Sequence, residues 1–230
     1  MYRFGIKFLL ITICCCYLLS CTNKHEQHNK QDSTTIAVQP TVSIECDYKN
    51  LSKEFDLKLF FNRYKTTTVN DSCIVRLIIS DKIDHHVIDT LLLTSIYYYD
   101  NVFKDCNHVL SYSTKVDFKG VGDDNDYGNI VIADLNFDNK EDIAVINDSG
   151  GNGGVFYNYY LQENQKFVLD KYLTDSMTYF PTKINKANRT LITYVHANAY
   201  QLAEHVYYFN NKTNNWIEKS QKFIPPIKQP

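Results

Sequence analysis

Apolar and polar residues alternate along much of the chain. In residues 55–59, Phe55, Leu57 and Leu59 alternate with Asp56 and Lys58, the period of a strand with one face buried. Residues 73–79 and 87–99 are rich in β-branched and aromatic side chains, which favour extended backbone. Residues 130–133, 143–146, 155–161, 167–169, 191–195 and 206–209 carry the same signature. Turn formers separate them. Gln162-Glu163-Asn164-Gln165 and Asn210-Asn211-Lys212-Thr213-Asn214-Asn215 each predict a hairpin. No stretch of this region shows a long apolar run of helical period with caps at both ends. The pattern therefore predicts an all-β domain over residues 42–230, a single β-sandwich or open barrel with room for a short helix.

The first twenty residues follow another rule. Arg3 and Lys7 precede an apolar stretch, residues 8–19, broken only by Thr12. A basic start, a short apolar core and the small residue Ser20 describe a secretory signal over residues 1–20, too short for a comfortable membrane span. Cys21 follows, and Leu18-Leu19-Ser20-Cys21 resembles the bacterial lipobox. That resemblance implies cleavage before Cys21 and acylation of its sulfur, a reaction that needs a thiolate nucleophile. Several acyl chains on one residue anchor durably, so the expected location is a membrane, the outer membrane facing the periplasm or the cell surface. Residues 21–41 then read as the lipidated cysteine and a polar tether, since they hold too little apolar surface to offset the entropy of ordering.

Composition narrows the partners. Losing Arg3 and Lys7 takes the formal charge from −2 to −4, which argues against nucleic acid. Of seven cysteines, Cys14, Cys15 and Cys16 leave with the signal and Cys21 carries lipid. Cys46, Cys73 and Cys106 remain, so one pair can bridge in an oxidising compartment, and the sequence does not say which. Eighteen tyrosines and thirteen phenylalanines suit packed sheets, with some left for a partner.

Candidate chemistry concentrates in residues 134–142. Asp134, Asn136, Asp138 and Asp142 place oxygens at alternate positions, and Lys140 completes the series with its backbone carbonyl. A curled segment of this spacing offers the hard oxygen ligands that Ca2+ takes. Asn139 stands where a sharp turn needs positive φ, which asparagine tolerates. Leu135 and Phe137 should face the core. Val145 at the twelfth position and strand-like flanks exclude an EF-hand. Asp123-Asp124-Asn125-Asp126 is contiguous and reads as a solvated loop. After the next strand, Ser149-Gly150-Gly151-Asn152-Gly153-Gly154 offers either a flexible connection or a recognition loop whose backbone can enter a narrow cleft.

The calcium-type pattern resembles the loop of integrin-type FG-GAP repeats, with Asn139 in place of glycine. A single copy without internal repeat speaks against a propeller. The wider block, residues 130–161, resembles small periplasmic lipoproteins that include immunity proteins against peptidoglycan-cleaving toxins of type IV secretion systems, with a fold like that of invertebrate-type lysozyme inhibitors. That resemblance implies Ca2+ held by Asp134, Asn136, Asp138, Lys140 and Asp142. It implies an inhibitory loop beginning at Ser149 and Gly150, aimed at a secreted peptidoglycan hydrolase. The inhibitor pattern expects a tyrosine soon after serine-glycine, and here the nearest is Tyr157. A surface lipoprotein for adhesion or glycan binding, using exposed tyrosines and Trp216, is the alternative. An enzyme is not expected. His85-His86 is an adjacent pair, and His196 and His205 on neighbouring strands come with no activated serine or cysteine motif.

Overall fold

Strand β2 (Phe55–Tyr64) carries the alternation its sequence predicts. Phe55, Leu57, Leu59 and Phe61 are buried, and Asp56, Lys58 and Phe60 take the other face. It pairs antiparallel with β1 (Val42–Tyr48) and β3 (Ser72–Asp81), and β3 pairs with β4 (Val87–Ser95), giving a four-stranded meander. The register aligns Leu59, Leu77 and Leu91 in one buried row and Phe61, Val75 and Leu93 in the next. Each such side chain withdrawn from water stabilises the fold by about 1.5–3 kcal/mol.

The second sheet has five strands in the order β5 (Val109–Ser111), β6 (Ile130–Ala133), β7 (Asp142–Asp148), β8 (Phe156–Glu163) and β9 (Lys166–Leu169). Among the described residues of this sheet only β5 and β6 run parallel. Every residue of β6, and β7 from Asp142 to Ile146, is buried, so these strands have no wet face. That explains why they read as continuous apolar runs rather than alternations. The third sheet is the antiparallel meander β10 (Lys183–Asn185), β11 (Thr190–Asn198), β12 (Gln201–Asn210) and β13 (Asn215–Ile224). A short 3-10 turn, Gly151–Gly153, and a π-helical turn, Leu173–Met177, are interspersed.

This computed structural model describes residues 39–64, 72–95, 102–116 and 125–225, which belong to one compact unit running from Val38 to Pro230. The chain is all-β, as its pattern predicts, and its strands form three open sheets. One apolar core takes residues from all three, including Leu77, Ile143 and Tyr207. Phe55 of β2 meets Phe167 of β9 edge to face at 5.2 Å, and Asp89 of β4 accepts the Phe167 amide at 2.8 Å. The expected signal, Cys21, nearly all of the tether, residues 96–99 and Asp123-Asp124 lie outside the described residues. Among the three domain cysteines, Cys46 of β1 bridges Cys106, and Cys73 is a buried thiol on β3.

Candidate functional site

The oxygen-rich loop, residues 134–142, connects β6 to β7 and touches all three sheets. Leu135 and Phe137 are buried, as expected, and Asn139 has φ +69°. Phe137 also has φ +63°, which the sequence did not announce. Asp134 Oδ1 and Asn136 Oδ1 both accept the Asp138 amide at 3.1 Å, so two of the predicted ligand oxygens point at one spot. Asp138 Oδ1 accepts the Lys140 amide at 2.9 Å.

Asp142 is turned elsewhere. Its Oδ2 accepts the Leu135 amide at 2.7 Å, and its Oδ1 accepts the Gln162 amide at 2.9 Å. Burial pushes this carboxyl up to about 8, against the pull of the Gln162 and Leu135 amides. Asp134, for its part, has a cation beside it, since Lys186 Nζ lies 2.7 Å from Asp134 Oδ2. Arg189 donates to Asn136 O at 2.8 Å and Phe137 O at 3.2 Å, with its guanidinium over the rings of Phe137 and Phe209.

These residues fit calcium in kind, being hard oxygens on a curled loop, but not in arrangement. Among the described residues the set of three acidic or histidine ligand atoms gathered within 4.8 Å of one another is Asp81, Asp84 and His86, on the β3–β4 turn. Asp134, Asp138 and Asp142 are not so gathered. An ion here requires Asp142 or Asp138 to reorient and Asp134 to share its charge.

Glu141 is a structural anchor within the loop that its own sequence neighbourhood does not announce. It is buried, faces away from the loop, and its Oε2 accepts the Ser52 hydroxyl and the Lys53 amide, the latter at 2.9 Å. The loop thus reaches the first sheet through Glu141, the second through Asp142 and the third through Lys186 and Arg189. An acid flanked by core residues was the only local clue to Glu141. Lys186 and Arg189 gave none, being some fifty residues away.

The glycine loop, residues 149–154, lies at the other end of β7, about 20 Å away by strand rise. The two loops therefore sit at opposite ends of β7, and an ion at residues 134–142 would not touch the glycine stretch. The loop is closed by its own contacts. Gly150, Gly151 and Gly154 have φ of +61°, +63° and +99°. A Cβ on Gly150 would run into the Gly154 carbonyl oxygen, and one on Gly153 into the Tyr179 hydroxyl. Asn125 Nδ2 donates to Gly153 O at 2.9 Å, and the Gly154 amide to Gly151 O at 3.2 Å. Ser149 and Gly151 remain exposed.

Other candidates are placed as follows. Tyr157 is fully buried, its hydroxyl donating to Gly128 O and accepting the Tyr127 amide, both at 3.0 Å. It cannot serve as the tyrosine of an inhibitory loop. Trp216 is buried between Phe209 and Phe137, with Nε1 donating to Asp170 Oδ2 at 3.2 Å. It offers no platform to a sugar, whereas Tyr200 is 82% exposed. His196 pairs with Leu202 and His205 with Thr193, three rungs apart, so the two imidazoles do not face each other. His85 and His86 sit in the β3–β4 turn, His85 near Asp56 at 3.8 Å and His86 on Asp84.

No protein-family model matches the chain, and no curated protein is similar to it in sequence. A solved structure described as a Xanthomonas type IV secretion system related protein aligns over 79% of this chain and 81% of that one, with a TM-score of 0.49 and 13% identity.

Proposed function

We propose that this chain is a lipid-anchored binding protein that blocks a secreted peptidoglycan hydrolase with the glycine loop, residues 149–154, while a calcium ion at residues 134–142 reinforces the junction of the sheets. The observation that carries the reading is the order already present in the glycine loop. Three residues at positive φ, the amide of Asn125 and the ring of Tyr179 hold one backbone shape before any partner arrives. A loop that is already shaped loses little entropy on entering a cleft, which is what an inhibitor needs. A glycosidase cleft carries two carboxylates, and the hydroxyl of the exposed Ser149, which donates to Asp148 Oδ1 at 3.3 Å in the free chain, is a donor of the right kind to be handed to one of them. Glycan binding through Trp216 has less support, because that ring is buried.

The test uses the full chain in detergent, added to lysozyme-class and other glycan-cleaving hydrolases acting on purified peptidoglycan. The parent should slow at least one of them. Gly151→Arg, which points into open space, should weaken inhibition by about tenfold or more, as expected for a central contact. Unimpaired inhibition by that variant, or no inhibition of any hydrolase, would remove the reading. Calcium should raise the melting temperature of the parent and leave Asp138→Ala unmoved. Equal calcium responses in the two would reject the ion site.

A further inference from the structure

We propose that the cavity between the first and second sheets, beside the Cys46–Cys106 bridge, is a binding site for a neutral saccharide. It uses neither the glycine loop nor residues 134–142, so it stands apart from the hydrolase reading.

The cavity measures about 820 Å³, within the range of small-molecule sites. It is walled by residues 47–51, where the chain leaves β1, by residues 104–109, which lead into β5, and by Val116 and Asn129. These walls are fixed before any ligand arrives. The disulfide ties the first segment to the second. The Asn129 amide donates to His108 O at 2.7 Å, and Asn129 O accepts the Ile146 amide at 3.0 Å. Asp105 Oδ1 accepts the Asn107 amide at 2.8 Å. A cavity already shaped need not be ordered by its ligand.

Asn129 is the residue that points to a ligand. It is 2% exposed, and its Oδ1 is buried with no hydrogen-bond partner among the described residues. A buried acceptor left unmet destabilises a fold, and native chains rarely keep one without a use. The rest of the lining says what would meet it. Tyr48, Leu51 and Val109 are buried and form an apolar floor. Burial, with the Asp105 carboxylate nearby, pushes the Tyr48 phenol up, so it stays neutral. His108, also in the wall, faces Asp126 at 3.3 Å. Around the floor stand the exposed Asp47, Lys49, Lys104 and Asp105, two acids against two lysines. So balanced a rim favours neither an anion nor a cation. A ligand with many hydroxyls, each both donor and acceptor, and an apolar C–H face matches rim, floor and the Asn129 carboxamide together. That is the chemistry of a sugar ring.

The test follows amide chemical shifts of the full chain in a detergent without a sugar headgroup. N,N′-diacetylchitobiose and cellobiose are each added up to about 20 mM, well above the Kd of a weak small-ligand site. At least one should move the amides of Leu51, Asn107 and Asn129, and inorganic phosphate should leave them unmoved. Asn129→Leu removes an unmet polar group at similar volume, so the melting temperature should hold while binding weakens by about tenfold. Asn107→Trp, at an exposed position on the wall, should block entry with the fold intact, and it carries the test if Asn129→Leu does not fold. No response to either disaccharide, or equal binding by the parent and Asn107→Trp, would overturn the proposal. Phosphate moving the same amides as strongly would also overturn it, because the site would then select charge. A lower melting temperature for Asn129→Leu with unchanged binding would make Asn129 a packing residue and overturn its role.

Discussion

Glu141 sits inside the oxygen-rich loop yet belongs to the packing of another sheet. Its carboxylate is the acceptor for the Ser52 hydroxyl and the Lys53 amide, nearly ninety residues earlier. Glu141→Ala strands those donors in a buried setting and should cost about 2–4 kcal/mol, read as a lower urea midpoint at unchanged slope. A loss within about 0.5 kcal/mol would show that the anchor is redundant. Asp170 makes a prediction about pH. Burial raises its carboxyl above the ordinary 3.8, against the Leu173 amide and the Trp216 N–H. The folded chain thus holds this proton more tightly than the unfolded chain. The stability it contributes is complete below the ordinary value and is lost as pH rises through the raised one. Asp170→Asn should therefore be most harmful near pH 3 and less so near pH 7, in urea melts of both proteins. A gap that widens toward neutrality would reverse the assigned shift. At this scale the sequence was legible wherever a residue answers to its neighbours. Asn139 at positive φ and the inward Leu135 and Phe137 follow from local spacing. Glu141, Lys186 and Arg189 answer to partners far along the chain, and nothing beside them encodes that.

Elements with an internal signature were also legible. The turn formers at residues 162–165 become the two-residue connection between β8 and β9, with Asn164 and Gln165 at φ +47° and +63°. Both positive angles mark a turn that favours Asn-Gly, so Gln165→Gly should stabilise the chain by about 0.5–1 kcal/mol in thermal or urea melts. A destabilised variant would mean that the Gln165 side chain holds the turn in some other way. The glycine loop separates two kinds of glycine. Gly150→Ala drives a Cβ into backbone and should cost more than about 2 kcal/mol, whereas Gly151→Ala meets open space and pays only the strain of positive φ, about 1 kcal/mol. Strands without such signatures escaped the pattern. β13 is exposed at most positions and reads as a polar segment; its register against β12, not its own composition, makes it a strand. β5 and β10 are three residues each, too short for any period to show. β1 buries Cys46 and Tyr48 but leaves most other positions to solvent, the habit of an edge.

On the scale of the whole molecule, one covalent bond joins what the hydrogen-bond ladders leave separate. Cys46 lies on the edge strand of the first sheet, and Cys106 lies just before β5, the edge of the second. The bridge spans 60 residues and encloses β2, β3 and β4. In the chain-entropy account, closing a loop of that length removes about 4 kcal/mol of freedom from the unfolded chain, an upper figure if the reduced chain keeps structure. The composition allowed three pairings; geometry decides among them. Cys73 is paired in register with Arg63, at the end of β2 remote from Leu59, which faces Cys46. The third thiol is therefore a packing residue of the core, and it should not carry redox dependence. Reducing agent should lower the urea midpoint of the parent and of Cys73→Ala by the same amount, and should leave Cys106→Ala unchanged. If the parent unfolds identically with and without reductant, the ladders and the shared core hold the sheets together without the bridge. An expected site of action in an oxidising compartment would then lose its structural reason.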